Sequence, residues 1–181
     1  MANFTELDRY LFGQATHYEI YRKLGAHFTE EKGVKGVCFD LWAPNARRVF
    51  VIGTFNGWDE YAHEMKRLEP ETMGIYELFI PGLKEGDLYK YVIETNDGRR
   101  LYKADPYANY AELRPGTASA LADIDHFKWT DSKWMTARAA EEDVYAQPMA
   151  IYEVHPGSWK RHPGREDDGF YSYRELADSL I

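Results

Sequence analysis

Apolar residues change their period twice along the 181-residue chain, and each regime predicts a different kind of structure. Leu7, Leu11 and Phe12 recur at helical spacing behind Thr5, whose hydroxyl can cap free amides, and Gly13 closes the run, so a short helix is predicted from Thr5 to Leu11. Tyr18, Ile20 and Leu24 are less regular and predict an extended lead-in to Gly25. Alternation then takes over. Val37, Phe39 and Leu41 share one face, Pro44 and Asn45 interrupt, and Val49 to Ile52 resumes, a pattern that predicts a hairpin. Ile75 to Ile80 and Leu88 to Glu94 predict two more strands, ended by Pro81-Gly82 and Asp97-Gly98. Leu101 to Lys103 and Ala118 to Ile124 add edge strands around a Pro-containing loop from Asp105 to Gly116. Short strands divided by turn residues predict a mainly β fold, an immunoglobulin-like β-sandwich.

After Asp125 the alternation stops. Polar residues, Trp129, Trp134 and an Ala/Glu run predict a connecting segment up to Pro148. Ala150 to Val154 reads as a new strand and Pro156 to Gly169 as a polar loop. Tyr173, Leu176, Ala177 and Leu180 form a helical stripe, with Ser172 and Glu175 spaced as a capping box. Strand, loop and helix open a parallel α/β unit, yet one strand and one helix cannot cover each other. The carboxyl end therefore reads as an incomplete domain, with Ile151, Val154, Leu176 and Leu180 expected to expose apolar surface. The implied organisation is a helical lead-in over residues 1–20, a sandwich over 21–126, a connector over 127–148 and a domain fragment over 149–181.

Composition narrows the partners. Twenty-two basic against thirty acidic side chains give a net charge of -8, which disfavours nucleic acid. Fourteen Tyr and five Trp suit both a β core and surfaces that stack on sugar rings. The single cysteine, Cys38, lies in a strand and reads as a small buried hydrophobe. No basic, apolar leader opens the chain and no run reaches membrane-spanning length, so a soluble, cytoplasmic protein without a membrane partner is expected.

Nine stretches occur in order: YLFG (Tyr10 to Gly13), KLGAH (Lys23 to His27), WAPNA (Trp42 to Ala46), FNGWD (Phe55 to Asp59), GIYELFIPG (Gly74 to Gly82), YKY (Tyr89 to Tyr91), KADPYA (Lys103 to Ala108), RPGTAS (Arg114 to Ser119) and IYEVHPGSW (Ile151 to Trp159). Together they resemble the amino-terminal part of the bacterial 1,4-α-glucan (glycogen) branching enzymes of the α-amylase family, across essentially the whole chain. WAPNA and FNGWD alone resemble the carbohydrate-binding module 48 sandwich, which debranching enzymes, trehalose-forming hydrolases and a kinase regulatory subunit also carry. The later motifs discriminate. By that resemblance Ala150 to His155 and Ser172 to Ile181 are the first strand and first helix of a truncated (β/α)8 barrel, and Lys103 and Asp105 belong to a loop packing on the missing barrel.

The family cuts an α-1,4 bond and passes the chain to a 6-hydroxyl, which needs two carboxyl groups about 5 Å apart. In the resembling family these follow later barrel strands, so no catalytic residue is expected here and the chain alone is expected to be inactive. Glu153 and His155 share a strand face and read as a buried structural pair; Asp167 and Asp168 read as a solvated turn. No metal-ligand spacing or phosphate loop occurs, and no cofactor is implied. What the resemblance leaves to this chain is binding of α-1,4-glucan, glycogen or amylose. It implies contact through Trp58 of FNGWD and Lys90 of YKY, with Asn56 available to a hydroxyl. Trp42 reads as structural. One family feature is missing: a second platform Trp after the Asp-Gly turn is replaced by Arg99 and Arg100. The alternatives are a free-standing glucan-binding module, or a fragment of a related debranching or trehalose-forming hydrolase.

Overall fold

The computed structural model describes residues 4–70, 73–164 and 169–180. Asp167, Asp168 and Ile181 lie outside the described residues. The chain divides into two compact units, Met1–Lys128 and Trp129–Ile181.

The first unit opens with helix α1 (Glu6–Gly13), capped reciprocally by Thr5 and Asp8. Thr5 N donates to Asp8 Oδ2 at 2.8 Å, and Asp8 N donates back to Thr5 Oγ1 at 3.2 Å. His17 and Lys23 also reach the Asp8 carboxylate, at 2.9 and 3.2 Å. The stretch before Gly25 is a turn of 3-10 helix, Ile20–Arg22, rather than extended chain.

Among the described residues nine strands build two antiparallel sheets. One runs in the order β1 (Gly25–Glu31), β2 (Val34–Trp42), β5 (Ile75–Pro81), β4 (Lys66–Arg67). The other runs β3 (Ala46–Gly53), β6 (Leu88–Thr95), β9 (Ser119–Ala120), β8 (Tyr110–Ala111), with β7 (Arg100–Lys103) also paired to β6. Inward-facing Val37, Phe39, Leu41 and Tyr76 of the first sheet meet Val49, Val51, Tyr89 and Tyr91 of the second in one core. This is the alternation of a sandwich.

The expected hairpin of β2 with β3 does not form, because these strands lie in different sheets. Ala43 N bonds to Gly74 O and Ala46 N to Ala43 O, which swings the chain across the sandwich at Pro44. Gly74 allows this with a φ of 69°; a Cβ there would sit 2.3 Å from Pro44 Cα. The hairpin partner of β2 is β1, in unbroken register from Gly25↔Asp40 to Glu31↔Val34. Its exposed Thr29 and Glu30 hide the alternation from the sequence.

Both sheets are covered outside. Phe4, Leu24, Leu68 and Ile75 form a second cluster, joined by Phe12 of α1. Trp42 meets the Phe12 ring edge-on at 5.9 Å and donates from Nε1 to Met73 O, a structural role. On the other sheet Phe50, Ile52 and Val92 are buried on the outward face.

Asp105 corrects an expectation. Rather than facing a missing domain, it is buried inside the sandwich, where Tyr89 and Tyr91 hydroxyls donate to its Oδ2 at 2.7 and 3.1 Å. Its own N–H donates to Ser119 Oγ, and Oδ1 accepts from Tyr107 N. The two tyrosines bring polar groups into an apolar core, and a buried hydroxyl needs a partner. Lys103 is exposed.

The second unit holds α2 (Ser132–Ala139), a 3-10 turn at Val144–Ala146, α3 (Pro156–Trp159) and α4 (Tyr173–Leu180). Ser172 and Glu175 form the expected capping box, with Ser172 N donating to Glu175 Oε2 at 2.8 Å. Residues 150–155 form no strand. A parallel strand exists only through neighbours that accept its hydrogen bonds, and none is paired to this segment among the described residues. Glu153 and His155 are exposed rather than buried, and His155 Nδ1 lies 2.9 Å from Ser158 Oγ. Ile151 is 84% exposed as the pattern implies, whereas Leu176 is buried. Among the described residues no helix is long and apolar enough to cross a membrane.

Two outcomes follow from these buried carboxyl groups. Asp105→Ala orphans two tyrosine hydroxyls and is expected to cost on the order of 3 kcal/mol, and Asp105→Asn clearly less, because its amide oxygen still accepts; urea unfolding checks the ranking. At Asp8, burial favours the neutral form, but hydrogen bonds from Thr5, His17 and Lys23 outweigh it and hold the carboxyl well below the usual range. A lowered folded value gives stability that is complete above the unfolded carboxylate range and is lost as pH falls below about 4. The urea-midpoint gap between parent and Asp8→Asn should therefore narrow from pH 7 to pH 3.

Candidate functional site

The outward face of the second sheet carries the candidate site, a hollow that includes Trp58 and Lys90. In an antiparallel pair, directly opposed residues share a face, so the pairs Ile52↔Lys90 and Val92↔Tyr102 place these four side chains outward in adjacent rows. Loop residues 54–64 cross this face and bring Trp58 to the same place. A hollow of about 400 Å³ results, lined by Ile52, Trp58, Lys90, Tyr102, Glu112 and Thr117, among others.

Trp58 owes its position to a mirror-image turn. Asp59 N donates to Asn56 O at 3.2 Å, and the two central residues, Gly57 and Trp58, both have a φ of 62°. Glycine adopts this region freely. A bulky aromatic residue there is strained, and such strain concentrates at functional sites. Trp58 N is tied to Gly53 O at 2.9 Å, and its side chain stays 38% exposed at the rim.

Asn56 has different work. Its Oδ1 accepts from Gly53 N at 2.9 Å, while Nδ2 donates to Val51 O at 3.1 Å and lies 2.8 Å from His63 Nδ1. Both amide hydrogens are engaged in closing the loop, a structural role that stands beside the expected contact of Asn56 with a sugar hydroxyl.

Lys90 is half-buried and donates from Nζ to Thr117 Oγ1 at 2.6 Å. Thr117 sits in a loop shaped by Glu112, whose Oε2 accepts from Ala118 N, and whose carboxylate packs where Gly116 lacks a Cβ. A cation, a hydroxyl and a carboxylate thus line one side of the hollow. Trp58 and Tyr102 supply aromatic surface.

Tyr102 is the residue that sequence reasoning missed. The Asp-Gly turn is indeed followed by Arg99 and Arg100, but the aromatic wall comes one strand position later on the same face as Arg100. Its signal was the alternation of Arg100 and Tyr102 on an edge strand, where both face the same way in register with Glu94 and Val92 of β6.

The loop is clamped from below. Arg48 grips Glu64 with Nε and Nη2, both at 2.6 Å, and its guanidinium lies 4.7 Å from the Phe50 ring centre. Arg100 lies 4.1 Å from the Tyr61 ring centre and donates to Glu60 Oε2 at 2.7 Å.

Elsewhere, Cys38, Asp40 and Glu77 bring one potential ligand atom each within 4.8 Å of one another. Burial and the Asp40 carboxylate push the thiol up, and its Sγ donates to Asp40 Oδ2 at 3.4 Å. A protonated thiol is a poor metal ligand.

With this geometry in hand, comparison with known proteins is specific. Residues 23–108 match carbohydrate-binding module 48, the isoamylase N-terminal domain. A protein of Butyrivibrio fibrisolvens named 1,4-alpha-glucan branching enzyme GlgB is 59% identical over 98% of the chain. One of the same name from Gloeobacter violaceus is 51% identical, also over 98%. The chain spans 27% and 24% of these two relatives. Among solved structures, a pullulanase from Bacillus acidopullulyticus aligns with 55% of the chain and 12% of its own, at 24% identity and a TM-score of 0.44. The chain corresponds to an amino-terminal part of proteins named 1,4-alpha-glucan branching enzyme and contains a carbohydrate-binding module 48 β-sandwich.

Proposed function

We propose that the sandwich holds an α-1,4-glucan chain in the hollow between Trp58 and Tyr102. Aromatic side chains stack on the apolar faces of glucose rings, and Lys90 and Thr117 offer hydrogen-bonding groups to their hydroxyls. The observation that carries the reading is Trp58 itself, a bulky side chain held at a left-handed φ of 62° and half-exposed beside Lys90. A residue serving only the core would have no reason to bear that strain. The net charge of -8 agrees with a neutral ligand.

In the intact protein, this binding would keep a glucan chain beside an enzyme that cuts an α-1,4 bond and transfers the released chain to a 6-hydroxyl. The names of the relatives support that activity, and the chemistry would lie in the part of them that this chain does not span. Residues 150–155 and α4 are then the first strand and helix of a (β/α)8 barrel. The exposure of Ile151 and Leu180 supports this, since a complete barrel buries such side chains. The organisation into residues 1–20, 21–126, 127–148 and 149–181 belongs to the same proposal.

Native gels containing glycogen or amylose should retard the parent chain and leave Trp58→Gly unretarded. Strain of about 1 kcal/mol or more is released by that substitution, and glycine's freer unfolded chain takes back about as much. Its melting temperature should therefore stay close to the parent's. Equal retardation of both proteins would remove Trp58 from the site. Incubated with amylose, the chain alone should leave the iodine spectrum unchanged, and a shift toward shorter linear runs would place catalysis within it.

A further inference from the structure

Two aromatic walls make a binding site only if the distance between them is fixed, and here they come from different elements. Tyr102 lies on β7, in register with β6. Trp58 lies on a loop tied by its backbone to β3, through Trp58 N to Gly53 O, Val51 N to His63 O and the bridge Phe50↔Glu64. Among the described residues none of these backbone bonds reaches β7, so the backbone ties the loop to one wall's neighbour and not to the wall itself.

We propose that Glu60 is the positioning residue that sets the separation of Trp58 and Tyr102. Its carboxylate stands two residues beyond Trp58 and binds β7 with both oxygens: Oε1 accepts from the Tyr102 hydroxyl, and Oε2 accepts from Arg100 Nη1 at 2.7 Å. Arg100 and Tyr102 are alternate residues on one face of β7, so their donors converge on a single carboxylate. Arg100 is in turn fixed by the Tyr61 ring and by Glu94, whose Oε2 lies 3.5 Å from Nη2. The Tyr102 hydrogen bond and then Arg100 hold the Glu60 carboxyl below its ordinary value, so it is ionised at neutral pH. Glu60 is not among the residues lining the hollow. It acts on a ligand through the tyrosine whose ring does line it.

The inference rests on the reading that this hollow takes glucan, and the test separates the two. Maltoheptaose is titrated calorimetrically into the parent, Glu60→Ala, Glu60→Gln, Tyr102→Phe, the double variant Glu60→Ala/Tyr102→Phe, and Trp58→Gly, with melting temperatures confirming that each is folded. Tyr102→Phe should weaken binding roughly fivefold, the worth of one hydrogen bond, and Glu60→Ala, which removes the Arg100 bond as well, by at least as much. The double variant should bind no more weakly than Glu60→Ala, because the hydroxyl has already lost its acceptor. Glu60→Gln, which still accepts from Tyr102, should recover part of the loss, a rescue that a merely bulk-structural role would not produce. Parent-like affinity in Glu60→Ala alongside lost binding in Trp58→Gly overturns the proposal and leaves the site standing. Parent-like affinity in Trp58→Gly overturns the site itself.

Discussion

Burial of the Asp105 carboxyl group between two tyrosine hydroxyls is the constraint on which the sandwich turns. Tyr89 and Tyr91 fill the core with ring surface that smaller apolar residues could not match, but each carries a hydroxyl into a place without water. Asp105 answers both with one oxygen. Burial pushes the carboxyl up, toward its neutral form, and the hydrogen bonds from Tyr89, Tyr107 and Tyr91 pull in the opposite direction. The same burial, with the carboxylate beside them, pushes both tyrosines up and keeps them as donors.

The network also reaches the site. Asp105 begins the long loop between β7 and β8, and its N–H is fixed to Ser119 on β9. Both ends of the segment carrying Glu112, Pro115 and Thr117 are thereby tied to the core, and that segment forms one wall of the hollow. The interior thus sets the geometry of a surface that it never touches.

The opposite wall is organised by charge and aromatic contact. Backbone bonds tie loop residues 54–64 to β3 at Trp58 and His63, and Arg48 with Glu64, Arg100 with Glu60, and both guanidiniums over Phe50 add side-chain ties, of which the Arg100 pair reaches β7. An exposed ion pair contributes little on its own. These pairs sit over rings on a buried apolar patch, and their joint effect is to specify position. The strained turn at Gly57 and Trp58 is affordable on such a base.

Much of this was legible in the linear chain, because local rules govern it. Alternation located β5 and β6, turn residues ended them, Thr5 marked the cap of α1, and spacing alone identified the capping box of Ser172 with Glu175. Motif resemblance supplied the family and pointed to Trp58 and Lys90. Tertiary structure decided what depends on distance through space. It sent β3 to the other sheet, since strand periodicity does not encode which partner accepts a hydrogen bond. It turned Asp105 inward, took the Asn56 amide for the loop and supplied Tyr102 as the second wall, because a polar side chain's partner is set by packing rather than by sequence neighbours. Residues 150–155 show the same limit from the other side: their composition is that of a strand, and a strand exists only where neighbouring chains complete its hydrogen bonds.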